Sequence, residues 1–158
     1  MSTSTDQPPL PSRPSRLLAT RRLLQGGWHI VQGWRQIRFQ FDGLPPSERA
    51  ERVRDWAREL LRIWQIELRV HGVPAGSATL LMANHISWLD IVALLATSHC
   101  RFVGKSELAR WPVLGTMIAG AGTVFVERAS KRDVRRVVTD IQRALTQGKL
   151  VAVFPEGT

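Results

Sequence analysis

Two short apolar runs, 78–83 and 150–154, each lead without a break into polar chemistry. The first enters Asn84-His85-Ile86-Ser87-Trp88-Leu89-Asp90, and the second ends in Phe154-Pro155-Glu156-Gly157-Thr158. A short apolar run bounded by turn residues fits a buried strand. A strand that opens into a polar turn ahead of a helical stretch is the unit of an α/β sheet. Such sheets bind ligands beyond the carboxyl ends of their strands. The pattern therefore predicts one site on one sheet edge, assembled from both motifs.

The rest of the chain from residue 66 supports that class. Strand patterns fall at 66–71, 79–83, 101–103, 123–126 and 150–154, and helical patterns at 88–97, 106–119 and 131–146. In the last helix Val134, Val137, Val138, Ile141, Ala144 and Leu145 recur at helical spacing. Ser130 and Asp133 form a capping-box-like start, and Gly148 stops the helix. Upstream, Pro45-Pro46-Ser47 opens another helix with Ser47 as the expected N-cap. Val53, Trp56, Ala57, Leu60, Leu61 and Trp64 give that helix one apolar face.

His85 and Asp90 are five positions apart, which on a regular helix means about 140°. His85 thus belongs to the turn before the helix and Asp90 to its first turns. A neutral imidazole can take a proton from an alcohol near pH 7. A carboxylate on the other ring nitrogen fixes the tautomer and stabilises the imidazolium. His29, His71 and His99 have no such company and read as structural. No suitable third ligand accompanies His85 and Asp90 for zinc, so no metal is expected. Asn84 is expected to hold the turn by side-chain hydrogen bonds. Two roles are open for Ser87, helix N-cap and substrate contact.

Four blocks in order carry a family resemblance: Asn84-His85 with Asp90; Lys105-Ser106-Glu107-Leu108 with Trp111-Pro112 and Gly115; Gly122-Thr123-Val124-Phe125-Val126-Glu127-Arg128; and Phe154 to Thr158. Together they resemble the glycerolipid acyltransferases, most closely the bacterial 1-acylglycerol-3-phosphate acyltransferases. The resemblance implies a glycerol-phosphate-acyltransferase-like sheet flanked by helices. It also implies transfer of an acyl chain from acyl-CoA or acyl carrier protein to the free hydroxyl of 1-acylglycerol-3-phosphate, giving phosphatidic acid. A lyso-ornithine lipid or another lysolipid is the alternative acceptor. His85 would be the base and Asp90 its orienting acid, with no cofactor beyond the donor substrate. Arg128 would bind the acceptor phosphate, unless it pairs with Glu127 or Asp133. Lys105, Glu156, Gly157 and Thr158 would contact substrate, and Asn84, Ser87 and Gly122 would support the motifs. In that family an arginine follows the final threonine and further strands follow it. The chain therefore reads as a C-terminally truncated fragment, with its strand at 150–154 left on an exposed edge.

Charge narrows the partners. The net charge is +9 and the pI about 11.4, so an anionic membrane face or nucleic acid is the expected class of partner. No RNP-type strand, zinc finger or helix-turn-helix signature is visible, so nucleic acid is not expected. Cys100 is the only cysteine, which rules out an intramolecular disulfide. Residues 1–15 read as a disordered tail and 16–65 as an N-terminal amphipathic, membrane-associating helical region. Residues 66–158 read as the α/β domain. Between Asp6 and Asp42 there is no acid, while Arg13, Arg16, Arg21, Arg22, Arg35 and Arg38 alternate with Leu23, Leu24, Trp28, Val31 and Trp34. Segments of this kind lie in membrane interfaces; the other reading is a helix packed on the domain. Gly26, Gly27 and Gly33 argue against one continuous helix there. No signal peptide or spanning run is visible, and the resemblance implies a peripheral or interfacial location at the cytoplasmic face of the inner membrane.

Overall fold

The structure, a computed structural model, describes residues 15–73, 76–126 and 131–155, with residues 131–134 described in backbone only. The expected tail 1–15 lies outside these residues except for Ser15, and so do Ser130 and the side chain of Asp133.

Helix α1, Arg16–Gln40, begins at Ser15, whose hydroxyl accepts the Leu18 amide at 3.3 Å. It is one continuous helix, against the expectation set by its glycines. The reason is packing. A Cβ on Gly26 would lie 2.4 Å from Trp64 Nε1, and one on Gly33 would lie 2.4 Å from Trp56 Nε1. The glycines let two indoles lie flush on the helix. Each indole then donates to an α1 carbonyl, Trp64 to Arg22 O at 3.3 Å and Trp56 to His29 O at 3.2 Å. His29 returns the contact, stacking on Trp56 and hydrogen-bonding Trp56 O at 3.0 Å.

Helix α2, Pro46–Ile63, starts without a side-chain cap; Pro45 holds the N-cap position and Pro46 is the first helical residue. Ser47 is therefore inside the helix and not its cap. Proline suits that start, because its fixed φ is already helical and its missing N–H would have no partner there. The helix ends in a Schellman turn, with Ile66 N to Leu61 O at 2.9 Å and Gln65 N to Arg62 O at 3.0 Å. Gln65 takes the left-handed position at φ 55°.

Residues 66–71 form no strand, contrary to the pattern. Alternation alone does not make a ladder, and no described strand pairs with them. Ile66 packs on the core, while Val70 and Val73 are exposed.

The sheet comprises β1, Leu80–Met82; β2, Cys100–Lys105; β3, Val124–Val126; and β4, Leu150–Val153. All pairings are parallel and the order is β1-β4-β2-β3. The last strand is thus interior, clamped between β1 and β2. The exposed edge expected at 150–154 does not exist. Helix α3, Trp88–Thr97, carries the chain from β1 to β2 and packs beside α2. Leu150, Ala152 and Phe154 join Cys100 and Phe102 in a core with Val92, Leu95 and Ala96 of α3 and Val53, Ala57 and Leu60 of α2. Val151, also buried, alternates to the other face, where α5, Lys131–Thr146, lies against β3 and β4. A strand buried on both faces is what a parallel sheet requires.

The helix expected over 106–119 is two pieces, a 3₁₀ turn at Ser106–Arg110 and α4 at Leu114–Gly120. Pro112 has no amide to donate and disfavours helical backbone at Trp111, which is extended. Val113 then turns the chain at φ 64°, a strained value for a β-branched residue.

The glycines of α1 give a paired test. Gly26→Ala should destabilise by about 1–3 kcal/mol through overpacking, lowering Tm by roughly 2–4 °C per kcal/mol at this size. Gly27 has nothing within 4 Å of an added Cβ, so Gly27→Ala should stabilise by up to ~1 kcal/mol through helix propensity. Thermal melts compare the two; equal shifts would show that α1 is not docked through Gly26.

Candidate active site

In a parallel sheet all carboxyl ends share one edge. Here that edge carries Ala83 after β1, Lys105 at the end of β2, Val126 at the end of β3 and Phe154 after β4. The β1–β4 ladder runs to its limit, with Ala83 N donating to Val153 O at 3.2 Å. Asn84-His85 and Phe154-Pro155 therefore leave the sheet side by side, although about seventy positions separate them in sequence.

The His85 ring stacks on Phe154 with centroids 4.3 Å apart and planes 24° apart. Phe154 stacks in turn on Phe102 of β2 at 6.0 Å. Both phenylalanines are buried, so the imidazole stands on a fixed aromatic column. Sequence reasoning placed Phe154 in a motif and gave it no role.

Ser87 caps α3, its hydroxyl accepting the Leu89 amide at 3.2 Å. Of its two open roles, the structure shows the cap. Asp90 completes the capping box from the third helical position: Oδ2 accepts the amides of Ile86 at 2.8 Å and Ser87 at 2.9 Å. The same oxygen lies 3.2 Å from His85 Nδ1. Nδ1 is sealed from solvent and has no aligned hydrogen-bond partner, so this approach is a close polar contact and not a well-directed bond. Two amides already hold Oδ2 along its favourable directions. The buried nitrogen leaves Nε2, on the far side of the ring, for chemistry.

The Ser87 amide first and the Ile86 amide second hold the Asp90 carboxyl below its ordinary value. Burial opposes them, and His85 adds a smaller push in the same direction as the amides. Asp90 is therefore ionised across the neutral range, available to stabilise an imidazolium.

Asn84 makes no side-chain hydrogen bond among the described residues, so it does not hold the turn as expected; Asp90 does. Lys105 stands on the same edge as His85, in register with Val126. Gly122 does not. It precedes β3, at the opposite edge, where φ 83° makes it a turn glycine beside the stem of Arg101. Arg128, Glu156, Gly157 and Thr158 lie outside the described residues. Two large apolar side chains flank the His85 turn in the open: Ile86 is 93% exposed and Trp88 54%.

Residues 67–158 match the family model described as Acyltransferase. The chain is 41% identical over 106 residues to a lyso-ornithine lipid O-acyltransferase of Rhizobium meliloti, covering 66% of this chain and 36% of that protein. It is also 41% identical over 118 residues to a 1-acyl-sn-glycerol-3-phosphate acyltransferase of Neisseria meningitidis, covering 73% and 46%. The chain thus spans less than half the length of either relative. Among solved structures, the 1-acyl-sn-glycerophosphate acyltransferase of Thermotoga maritima shares the fold. Its TM-score is 0.69 at 24% identity, over 90% of this chain and 60% of that one.

The double role of Asp90 has a pH signature. A carboxyl whose folded pKa is depressed adds stability above its unfolded pKa, about 3.9, and that stability is lost as pH falls through the lower folded value. Asp90→Asn should be less stable than the parent at pH 7, and the gap should close under acid. Urea melts from pH 7 down to pH 2 measure it; a gap constant with pH would assign the effect to shape and not to charge.

Proposed function

The chain belongs to the acyltransferase family, and on that footing we propose that it carries the base and orienting acid of a 1-acylglycerol-3-phosphate O-acyltransferase. The observation that carries this reading is the His85–Asp90 pair held on Phe154 at the carboxyl edge of the sheet. The acceptor's free hydroxyl gives its proton to Nε2 of His85 as its oxygen attacks the thioester carbonyl carbon. Asp90 stabilises the imidazolium across Nδ1. When the tetrahedral intermediate collapses, the C–S bond breaks and the leaving thiolate takes the proton back. The products are the new ester and a free thiol, on coenzyme A or acyl carrier protein, and no covalent enzyme intermediate is needed. Base catalysis of this kind contributes about 10²- to 10⁴-fold.

The acceptor phosphate calls for cationic donors on the same edge. Lys105 ends β2 there, and Arg128, Glu156, Gly157 and Thr158 are the motif residues assigned to the acceptor. Lyso-ornithine lipid is the second reading, favoured by the relative of that name at equal identity. It has no phosphate, so the two acceptors separate on Arg128.

No described helix is long and apolar enough to cross a membrane. Helix α1 nonetheless exposes Leu17, Leu23, Leu24 and Trp28 beside its arginines, which supports peripheral attachment at an anionic surface; in this reading that surface is the cytoplasmic face of the inner membrane.

His85→Ala should lower kcat for lysophosphatidate acylation by ~10²-fold or more with little change in acceptor KM. Arg128→Ala should raise the KM for lysophosphatidate by roughly 10- to 150-fold and leave lyso-ornithine lipid unaffected. Rates with both acceptors, against the Neisseria relative as positive control, decide; turnover in His85→Ala equal to the parent would falsify the mechanism.

Attachment has its own check. Sedimentation with anionic vesicles should weaken as salt rises, each arginine contributing up to ~1 kcal/mol within a Debye length, and an apolar residue of binding should survive high salt. Tighter binding to duplex DNA than to the vesicles would overturn the membrane reading.

A further inference from the structure

The amino edge of the sheet, opposite His85, gathers basic side chains that the proposed reaction does not use. Cys100 of β2 is in register with Leu150 of β4, so the residues just before them, His99 and Lys149, are neighbours across the ladder. Arg101 lies two positions beyond His99, on the same face. From the other face of the sheet, helix α2 brings Arg54 near enough to act on His99, its Nε buried without a hydrogen-bond partner.

These groups act on one another as like charges. Burial pushes the His99 imidazole down, and Arg101, Lys149 and Arg54 push it further the same way. Burial also lowers the Lys149 ammonium, and Arg101 adds to that. Four arginines elsewhere have carboxylate partners: Arg52 with Glu48, Arg62 with Glu59, Arg69 with Glu67 and Arg143 with Asp140. Among the described residues no carboxylate pairs with Arg54, Arg101 or Lys149, and Lys149 reaches only the neutral Gln147 Oε1, at 2.8 Å. The nearby end of α3 does little to offset the charge, since Arg58 Nε already takes the Ala96 carbonyl at 2.9 Å.

We propose that Arg54, His99, Arg101 and Lys149 form a phosphate-binding site at the amino edge of the sheet. Guanidinium forks suit a phosphate's several oxygens, and one multiply charged anion relieves the repulsion among all four groups. His99 keeps part of its surface exposed although burial acts on its ring, so the site is open to a ligand from solution or from a surface. It is distinct from the acceptor site: the length of β2, Cys100–Lys105, separates the two edges by about 16 Å at ~3.3 Å per residue. The ligand is a phosphate group, carried either by a soluble ester or by a lipid head.

Ring NMR of His99 in the 158-residue chain reads this site without any need for turnover. Inorganic phosphate should raise the His99 pKa saturably, because a bound anion favours the imidazolium. Chloride at matched ionic strength should not, and exposed His71 should report neither. Arg101→Gln should weaken phosphate binding by ~10-fold or more, and Lys149→Gln, as an independent variant, in the same direction. Neither should lower Tm without phosphate, because each removes repulsion. Phosphatidylcholine vesicles with and without phosphatidate then identify the source: displacement of inorganic phosphate only by phosphatidate vesicles assigns a lipid head, and no displacement assigns a soluble ester. No saturable His99 shift, an equal shift with chloride, or unchanged phosphate binding in both variants would overturn the site.

Discussion

One oxygen, Oδ2 of Asp90, both closes the first turn of α3 and faces the imidazole of His85. The start of the helix and the placement of the proposed base are therefore one folding event. Orphan amides at a helix start must be satisfied by something, and here the group that satisfies them also keeps a negative charge beside Nδ1. The cost is alignment, because the two amides claim the oxygen's best directions and Nδ1 approaches at 3.2 Å without a directed bond. A proton arriving on the ring strengthens that attraction when the imidazolium forms.

Ring placement comes from the sheet. Phe154 can lie beneath His85 only because β4 inserts between β1 and β2. The chain leaves β1 through α3, crosses to β2 and β3, and returns through α5 to fill the gap. Until that last strand docks, the imidazole has neither its aromatic floor nor the Ala83–Val153 hydrogen bond at its base. The site is completed by β4, so its geometry depends on the most non-local strand pairing among the described residues.

The sequence showed the class of the fold and the chemical pair, and the reasons are local. Apolar runs ending in polar turns mark parallel strands, and the five-residue spacing of His85 and Asp90 puts one residue before a helix and the other within it. Strand order was not legible. Nothing in residues 150–154 indicates that they lie between β1 and β2, so the expected edge was wrong and Phe154 went unassigned. The pattern at 66–71 misled for the same reason, since alternation describes a face and a strand needs a partner. Gly122 read as part of the site because its block ends there, yet in a parallel sheet the start and the end of a strand lie on opposite edges.

The glycines of α1 misled in the opposite direction, and their resolution links the N-terminal helix to the site. Propensity counts glycine as a helix breaker, but at Gly26 and Gly33 the missing Cβ admits Trp64 and Trp56. Trp64 meets the edge of Trp88 at 5.2 Å, and Trp88 is the first residue of α3, next to the Ser87 cap. A continuous packed path therefore runs from the α1 backbone, through two indoles, to the turn that holds His85. The half of α1 carrying Leu17, Leu23, Leu24 and Trp28 is the half that touches Trp64 through Arg22 and Gly26. That half of the helix is thus tied through Trp64 to exposed Trp88. On the proposed reading, an acceptor hydroxyl held at a lipid surface would meet His85 beside that helix, and the docking of α1 on Trp64 would serve by orientation.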